Sequence, residues 1–285
     1  GRRNTLNFIG SPEMIIALAL GGKLSFNPLK DELTAADGTK FKLEPPKPAP
    51  EVPEEGFMRP EGIFVSPPTN SDNVEIIIDP NSKRLQRLEA FPKWNGKDFE
   101  EIPIMVKAHG KCTTDHISPA GAWLSLRGHL DNLSDNLLLG AVNAFNDKVG
   151  QGKNILNNQL EPFSKIARQY KEKQMNWVII GDNNYGEGSS REHAAMTPRY
   201  LGCVAVITKS LARIHETNLK KQGILALTFD NPDDYDKILE DDKISLVDLN
   251  DLEPHKQVTC IILHSDGHKE EILLNHSYNK FQIRS

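Results

Sequence analysis

Cysteine is scarce. The three residues Cys112, Cys203 and Cys260 lie far apart, form no CxxC pair and are odd in number. That pattern argues against a disulfide framework or a zinc site and favours a reducing compartment. Positive charge is not in excess either: 34 Lys and Arg face 39 Asp and Glu, a net charge of −5. An acidic chain offers no counter-surface to nucleic acid or to an anionic membrane. No apolar run approaches the roughly 20 residues of a membrane-spanning helix. There is no internal repeat, and no basic or apolar leader precedes the first helical pattern, so the sequence reads as a piece of something longer.

What is present divides into three textures. Near the start, "SPEMIIALALGG" predicts a helix, with Ser11 as cap, Pro12 and Glu13 in the first turn and Gly21 closing it. Pro45–Pro68 then holds eight prolines in 24 residues. Proline removes backbone donors and fixes φ, so this stretch predicts an extended linker without ladder structure. "VEIIIDP" predicts a short strand beyond it, and "KDELTAADGTK" and "DNPDDYDK" read as solvated, charge-rich turns. From about residue 85 the pattern alternates. "IPIMVKA", "NWVIIGD", "CVAVITKS" and "ILALTF" read as strands, with "SSREHAAMTPRYLG" and "LARIHETNLKKQG" as helices between them. Strand–helix–strand alternation implies parallel pairing. "VTCIILHSDGHKEEILLNH" predicts a hairpin around Asp266-Gly267. The predicted class is α/β with a parallel βαβ core and an antiparallel addition.

Within this frame, "GDNNYGEGSSREHAA" (Gly181–Ala195) places two glycines, two serines and an arginine where a strand hands over to a helix. Ser189-Ser190-Arg191-Glu192 matches a capping box, which predicts that Ser189 opens the helix. Two readings follow. Ser189 only caps a helix while Arg191 sits in solvent, or the loop cradles an anion with its amides, the helix dipole and the Arg191 fork. "KCTTDHISPAGAWLSLRGHL" supplies Asp115, His116, Ser118 and Arg127 in a second polar, glycine-bearing loop and weights the choice toward a site. His215, within "RIHETN", reads as a structural residue satisfied by its neighbours.

Taken together, "GKCTTDHIS", "RGHLDN", "VIIGDNNYGEGSSREHAA" and "ITKSLARIHETNLKKQG" resemble the C-terminal part of the aconitase family, specifically its mitochondrial type. The resemblance implies a domain plan: residues 1–45 a remnant of the cluster-bearing α/β domain, 46–84 the linker, and 85–285 the swivel domain. It implies hydro-lyase chemistry on a tricarboxylate, with citrate and isocitrate interconverted through cis-aconitate and a [4Fe–4S] cluster binding the substrate. It makes Ser189 the base, with Asp115 supporting the site. Ser190, Arg191 and Arg127 become carboxylate-binding residues, and Arg2 a further substrate arginine. The family's cluster cysteines lie upstream of the matched region, so the missing N-terminal domains are the implied partner. No metal ligand is expected in this chain. A monomeric, mitochondrial enzyme with no membrane or nucleic-acid partner is the implied whole. The alternatives are a non-catalytic assembly or binding component, and a homoaconitase or isopropylmalate isomerase type of hydro-lyase subunit.

Overall fold

A computed structural model describes residues 6, 8–58, 62, 64–70, 72 and 74–284. The chain divides into two compact units, residues 1–74 and 75–285.

In the first unit, α1 (Pro12–Gly21) starts as expected: Ser11 accepts a hydrogen bond from the Met14 amide at 3.5 Å and Pro12 occupies the first turn. It ends one residue later than expected. Gly22, not Gly21, takes the left-handed conformation (φ 64°), because Gly21 is pressed against the Phe26 ring, where a Cβ would fall 2.5 Å away. The charge-rich segment after it is not a plain turn. Leu33–Thr34 (β1) pairs antiparallel with Lys40–Phe41 (β2) around Asp37-Gly38. Pro45–Met58 contains no helix or strand.

The second unit opens with a correction. Glu75–Pro80 forms no strand, and Ile76 and Ile77 stay exposed. The ordered elements follow: β3 (Phe99–Lys107), the short helices α2 (Thr114–Ile117) and α3 (Leu130–Leu133), the ladder of β4 (Gln151–Asn154) with β5 (Gln159–Pro162), and α4 (Phe163–Glu172). Then come β6 (Trp177–Gly181), α5 (His193–Tyr200), β7 (Cys203–Thr208), α6 (Arg213–Lys221), β8 (Leu225–Phe229) and α7 (Asp234–Lys237). The unit ends with β9 (Lys243–Val247), β10 (Val258–Leu263), β11 (Lys269–Asn275) and α8 (Lys280–Arg284).

β3, β6, β7 and β8 pair parallel in that order, as the alternation predicts. The β10–β11 hairpin forms as well, in the register Leu263↔Lys269. What the pattern does not announce is closure. β11 pairs with β8, and β9 bridges β10 to β3, so seven strands close into a barrel.

Closure explains the composition of the strands. In β6, Val178 and Ile180 point into the barrel with Ile104, Ile207, Leu227, Leu246 and Cys260, while Trp177 and Ile179 face the outer helices. Both faces are buried, so the parallel strands are continuous apolar runs. β10 alternates buried and partly exposed residues because only its inner face meets the core. The consequence for function is geometric. β3, β6 and β7 all end at one rim, and the loops after them hold the sequence-marked residues, in keeping with ligand sites lying at the carboxyl ends of parallel strands.

Ile207 is fully buried inside the barrel. Its replacement by Ala is expected to remove about 2–5 kcal/mol of stability by loss of apolar transfer and an unfilled cavity, measured as a lower urea midpoint.

Candidate functional site

The three rim loops are stitched together by backbone. The Gly186 amide donates to the Cys112 carbonyl (2.8 Å), and the Thr114 amide donates to the Glu187 carbonyl (2.9 Å). On the other side the Tyr185 amide donates to Ser210 O, and the Ala212 amide donates to Tyr185 O, both at 2.9 Å. The loop after β6 is therefore held between the loops after β3 and β7. Asp182 adds an ionic tie: its Oδ2 accepts the Gly110 amide at 3.0 Å and its Oδ1 lies 3.2 Å from Lys209 Nζ. Burial pushes the Asp182 carboxyl up, but that amide and the lysine outweigh it and hold its pKa below the ordinary value.

Gly186 makes the first of these turns possible. Its φ is 82°, and a Cβ there would lie 2.2 Å from Cδ2 of His215. Gly188 is also left-handed (φ 104°), but a Cβ there would make only ordinary contacts, the nearest with Thr114 Oγ1 at 3.6 Å.

The helix beyond them does not begin where the motif predicts. Ser189 lies in a bend, and α5 starts at His193 without a side-chain cap. The capping box of residues 189–192 is not formed. Thr114 Oγ1 instead donates to Ser189 O at 2.7 Å, holding that residue in the loop. A capping box does form in the partner loop: Thr113 Oγ1 accepts the His116 amide, and His116 Nδ1 accepts the Thr113 amide.

That box starts α2 and aims Asp115 at Arg191. Arg191 Nη1 is 2.5 Å from Asp115 Oδ1 and donates to Ser118 O at 3.2 Å. The hydrogen bond from Arg191 holds the Asp115 carboxyl below its ordinary pKa. The Arg191 side chain is only 17% exposed. Its other terminal nitrogen donates to none of the described residues.

Ser189, Ser190 and Arg191 line a pocket of about 320 Å³ together with Arg127, Ser118 and His193. Thus five sequence-marked residues share one concavity, and Asp115 braces its Arg191. Arg2 falls outside the described residues. Two contributors carry no local signature. His193 Nε2 lies 3.0 Å from the Arg127 carbonyl and ties the start of α5 to the arginine's segment, and Thr114 anchors Ser189.

His215 departs from its expected role as a residue satisfied by neighbours. It is 2% exposed, and neither ring nitrogen has a hydrogen-bond partner among the described residues. Burial lowers its pKa to about 4, so the imidazole is neutral near pH 7.

The cysteines offer no ligand set. All three are buried, Cys112 and Cys203 in the outer core and Cys260 in the barrel. Burial pushes each thiol up, Cys112 and Cys260 to about 12, so none is a ready thiolate. Among the described residues no group of three or more His, Cys, Asp or Glu side chains is placed to hold a metal ion.

Residues 102–232 match the family model described as the aconitase C-terminal domain. Over this segment, a little under half of its length, the chain is similar to that family. Its relatives match over almost its whole length. The mitochondrial aconitate hydratase of Gracilaria gracilis is 53% identical over 99% of the chain and 36% of that protein. The probable mitochondrial aconitate hydratase of Dictyostelium discoideum is 51% identical over 98% of the chain and 36% of that protein. The Saccharomyces cerevisiae mitochondrial aconitate hydratase is 48% identical over 99% of the chain and 36% of that protein. The chain thus spans about a third of the length of the curated relatives it matches.

Two outcomes test the frame of this site. Gly186→Ala is expected to cost about 3 kcal/mol or more, through left-handed strain plus the clash with His215, whereas Gly188→Ala costs about 1–2 kcal/mol through strain alone. Thermal unfolding of the two variants makes the comparison. For His215 the folded pKa is depressed, so the unfolded chain binds the extra proton between about pH 6.5 and the folded value of about 4. Its contribution is therefore intact above pH 6.5 and is lost as pH falls through that window, by up to about 1.4 kcal/mol per pH unit. Urea titrations from pH 7 to pH 4 should show a shallower loss for His215→Gln than for the native chain.

Proposed function

We propose that the chain is the C-terminal portion of a mitochondrial aconitate hydratase and supplies the base and carboxylate-binding side of its active site. Under this reading residues 1–45 belong to the preceding cluster-bearing domain, 46–84 are the linker and 85–285 are the swivel domain. The observation that carries the proposal is the convergence of Ser189, Ser190, Arg191 and Arg127 on one pocket, with Asp115 behind Arg191. The names of the relatives supply the reaction, and their match along nearly the whole chain supports the transfer.

Each residue suits its role. A tricarboxylate needs more than one cationic anchor, and guanidinium forks fix both charge and orientation. Arg191 meets that need because Asp115 and Ser118 hold one terminal nitrogen and leave the other for a ligand. Arg127 is exposed in the same pocket, and Ser190 borders it. Ser189 accepts the substrate's Cα proton in this scheme. Its hydroxyl is exposed and has no partner among the described residues, so a substrate carbon can reach it. A serine acts as a base only where its alkoxide is strongly stabilised, and here the stabilising charges are Arg127 and Arg191.

A [4Fe–4S] cluster supplies Lewis-acid chemistry for the departing hydroxyl in the complete enzyme. The buried, scattered cysteines of this chain do not fit such a cluster, so its ligands lie in the part of the enzyme outside this chain. The tricarboxylate and those remaining domains are the proposed partners. None of the helices among the described residues is long and apolar enough to cross a membrane.

The test pairs two measurements. In the complete enzyme, Ser189→Ala is expected to lower kcat by about 10²–10⁴-fold, the range for loss of a positioned base, with KM changed far less. The 285-residue chain alone should bind propane-1,2,3-tricarboxylate, an unreactive tricarboxylate, yet leave cis-aconitate unchanged. Turnover by the chain alone, or unaltered kcat in the variant, overturns the assignment.

A further inference from the structure

Ser189, Ser190 and Arg191 form a ridge with a concavity on each side. The side away from Arg127 is a pocket of about 520 Å³ that takes in the first turn of α6, Asn218, Thr114 and Glu187. The proposed function does not use it.

Its chemistry is one-sided. α6 has nine residues and begins at Arg213, after Ala212, whose methyl side chain cannot cap it. The amides of Arg213, Ile214 and His215 have no acceptor among the described residues, and they sit at the positive end of the helix dipole. Arg213 is exposed and carries no ion pair among the described residues. Glu187 is the acidic group of the wall, and Lys111 and the Asn184 side-chain amide already neutralise it. Glu216, one residue beyond the open amides, is paired with Lys220 at 2.8 Å.

A second observation points to a ligand. His215 and Asn218 border the pocket at 2% and 6% exposure, and both His215 ring nitrogens and Asn218 Nδ2 have no partner among the described residues. Buried polar groups are nearly always satisfied, and leaving them unmet costs free energy. Here the Asn218 side-chain amide and the one protonated ring nitrogen of the neutral His215 lie beside three open backbone amides, all of them donors without an acceptor among the described residues. The Ala212 amide, bonded to Tyr185 O, fixes this helix end against the Ser189 loop, so the cluster is preorganised.

We propose that the first turn of α6, with Arg213 and Asn218, is a second oxyanion site that takes a carboxylate or phosphate group of a small anion, separate from the Arg127 pocket. Three amide donors, one guanidinium and a side-chain amide match the acceptor-rich, negatively charged face that both groups share. The site stands on its own geometry and does not require the hydratase reading.

The experiment is an amide-resolved NMR titration of the 285-residue chain with inorganic phosphate and, separately, with propane-1,2,3-tricarboxylate. Saturable shifts are expected at the backbone amides of Arg213, Ile214 and His215 and at the Asn218 side chain. Arg213→Gln should weaken that binding about tenfold, the loss of one charge-assisted contact. Ala212→Asp should abolish it by placing a carboxylate on the same amides, while keeping the melting temperature or raising it, which separates blockage from misfolding. Saturation by phosphate alone, or by the tricarboxylate alone, identifies which source of the oxyanion the site accepts. Shifts that do not saturate with either probe, or that survive both substitutions, overturn the site. Tricarboxylate shifts confined to the Arg127 and His193 resonances remove this site and keep the proposed function. Shifts confined to the α6 amides do the reverse.

Discussion

The pairing of two loops by a few backbone hydrogen bonds is the constraint on which the rest depends. Cys112–Thr114 and Gly186–Glu187 behave as a short strand pair built above the barrel rim. Only glycine fits at residue 186, because the backbone is left-handed there and the His215 ring fills the space of a side chain. From that pair the geometry is inherited in steps. Thr113 caps α2, α2 presents Asp115, Asp115 holds Arg191, and Thr114 holds Ser189. The barrel supplies rigidity, since β3, β6 and β7 carry the loop ends at fixed spacing.

This arrangement changes how an anion is held. A helix dipole acting on Ser189 is the expectation of a capping box, yet α5 begins four residues beyond that serine, and a dipole falls off within a turn. The charge near Ser189 comes from arginine side chains fixed by hydrogen bonds. Such groups can be preorganised while dry, as Arg191 is, provided a carboxylate partner offsets their desolvation. Asp115 has that role. The unmet nitrogens of His215 are the opposite case, a cost the fold carries at the edge of its functional surface.

Much of the fold was legible in the sequence because it is written in local pattern. Runs such as Trp177–Gly181 and Cys203–Thr208 are apolar throughout, as strands covered on both faces must be. The Asp266-Gly267 turn marks its hairpin, and Gly223, just past α6, takes the left-handed conformation that ends it. Closure was not legible. It depends on β9, whose Lys243–Val247 sequence is short and mixed, pairing with residues about 140 positions earlier. The sites divide in the same way. Ser189, Ser190, Arg191 and Arg127 stand out by residue type and motif, whereas the α5 start failed because a tertiary bond from Thr114 overrides a four-residue local pattern. His193 acts through its bond to a backbone carbonyl, which no spacing rule encodes.

The barrel has one more consequence. A sheet normally ends in strands with unpaired amides and carbonyls, which invite other chains to add on. Here every strand of the seven-membered sheet has a neighbour on both sides. Open ladder edges among the described residues belong to the short ladders β1–β2 and β4–β5 and to the part of β11 before Leu274, where its pairing with β8 begins. Growth by strand addition on the barrel is thereby confined to that one stretch of β11, and elsewhere a partner must meet it through side chains and loops.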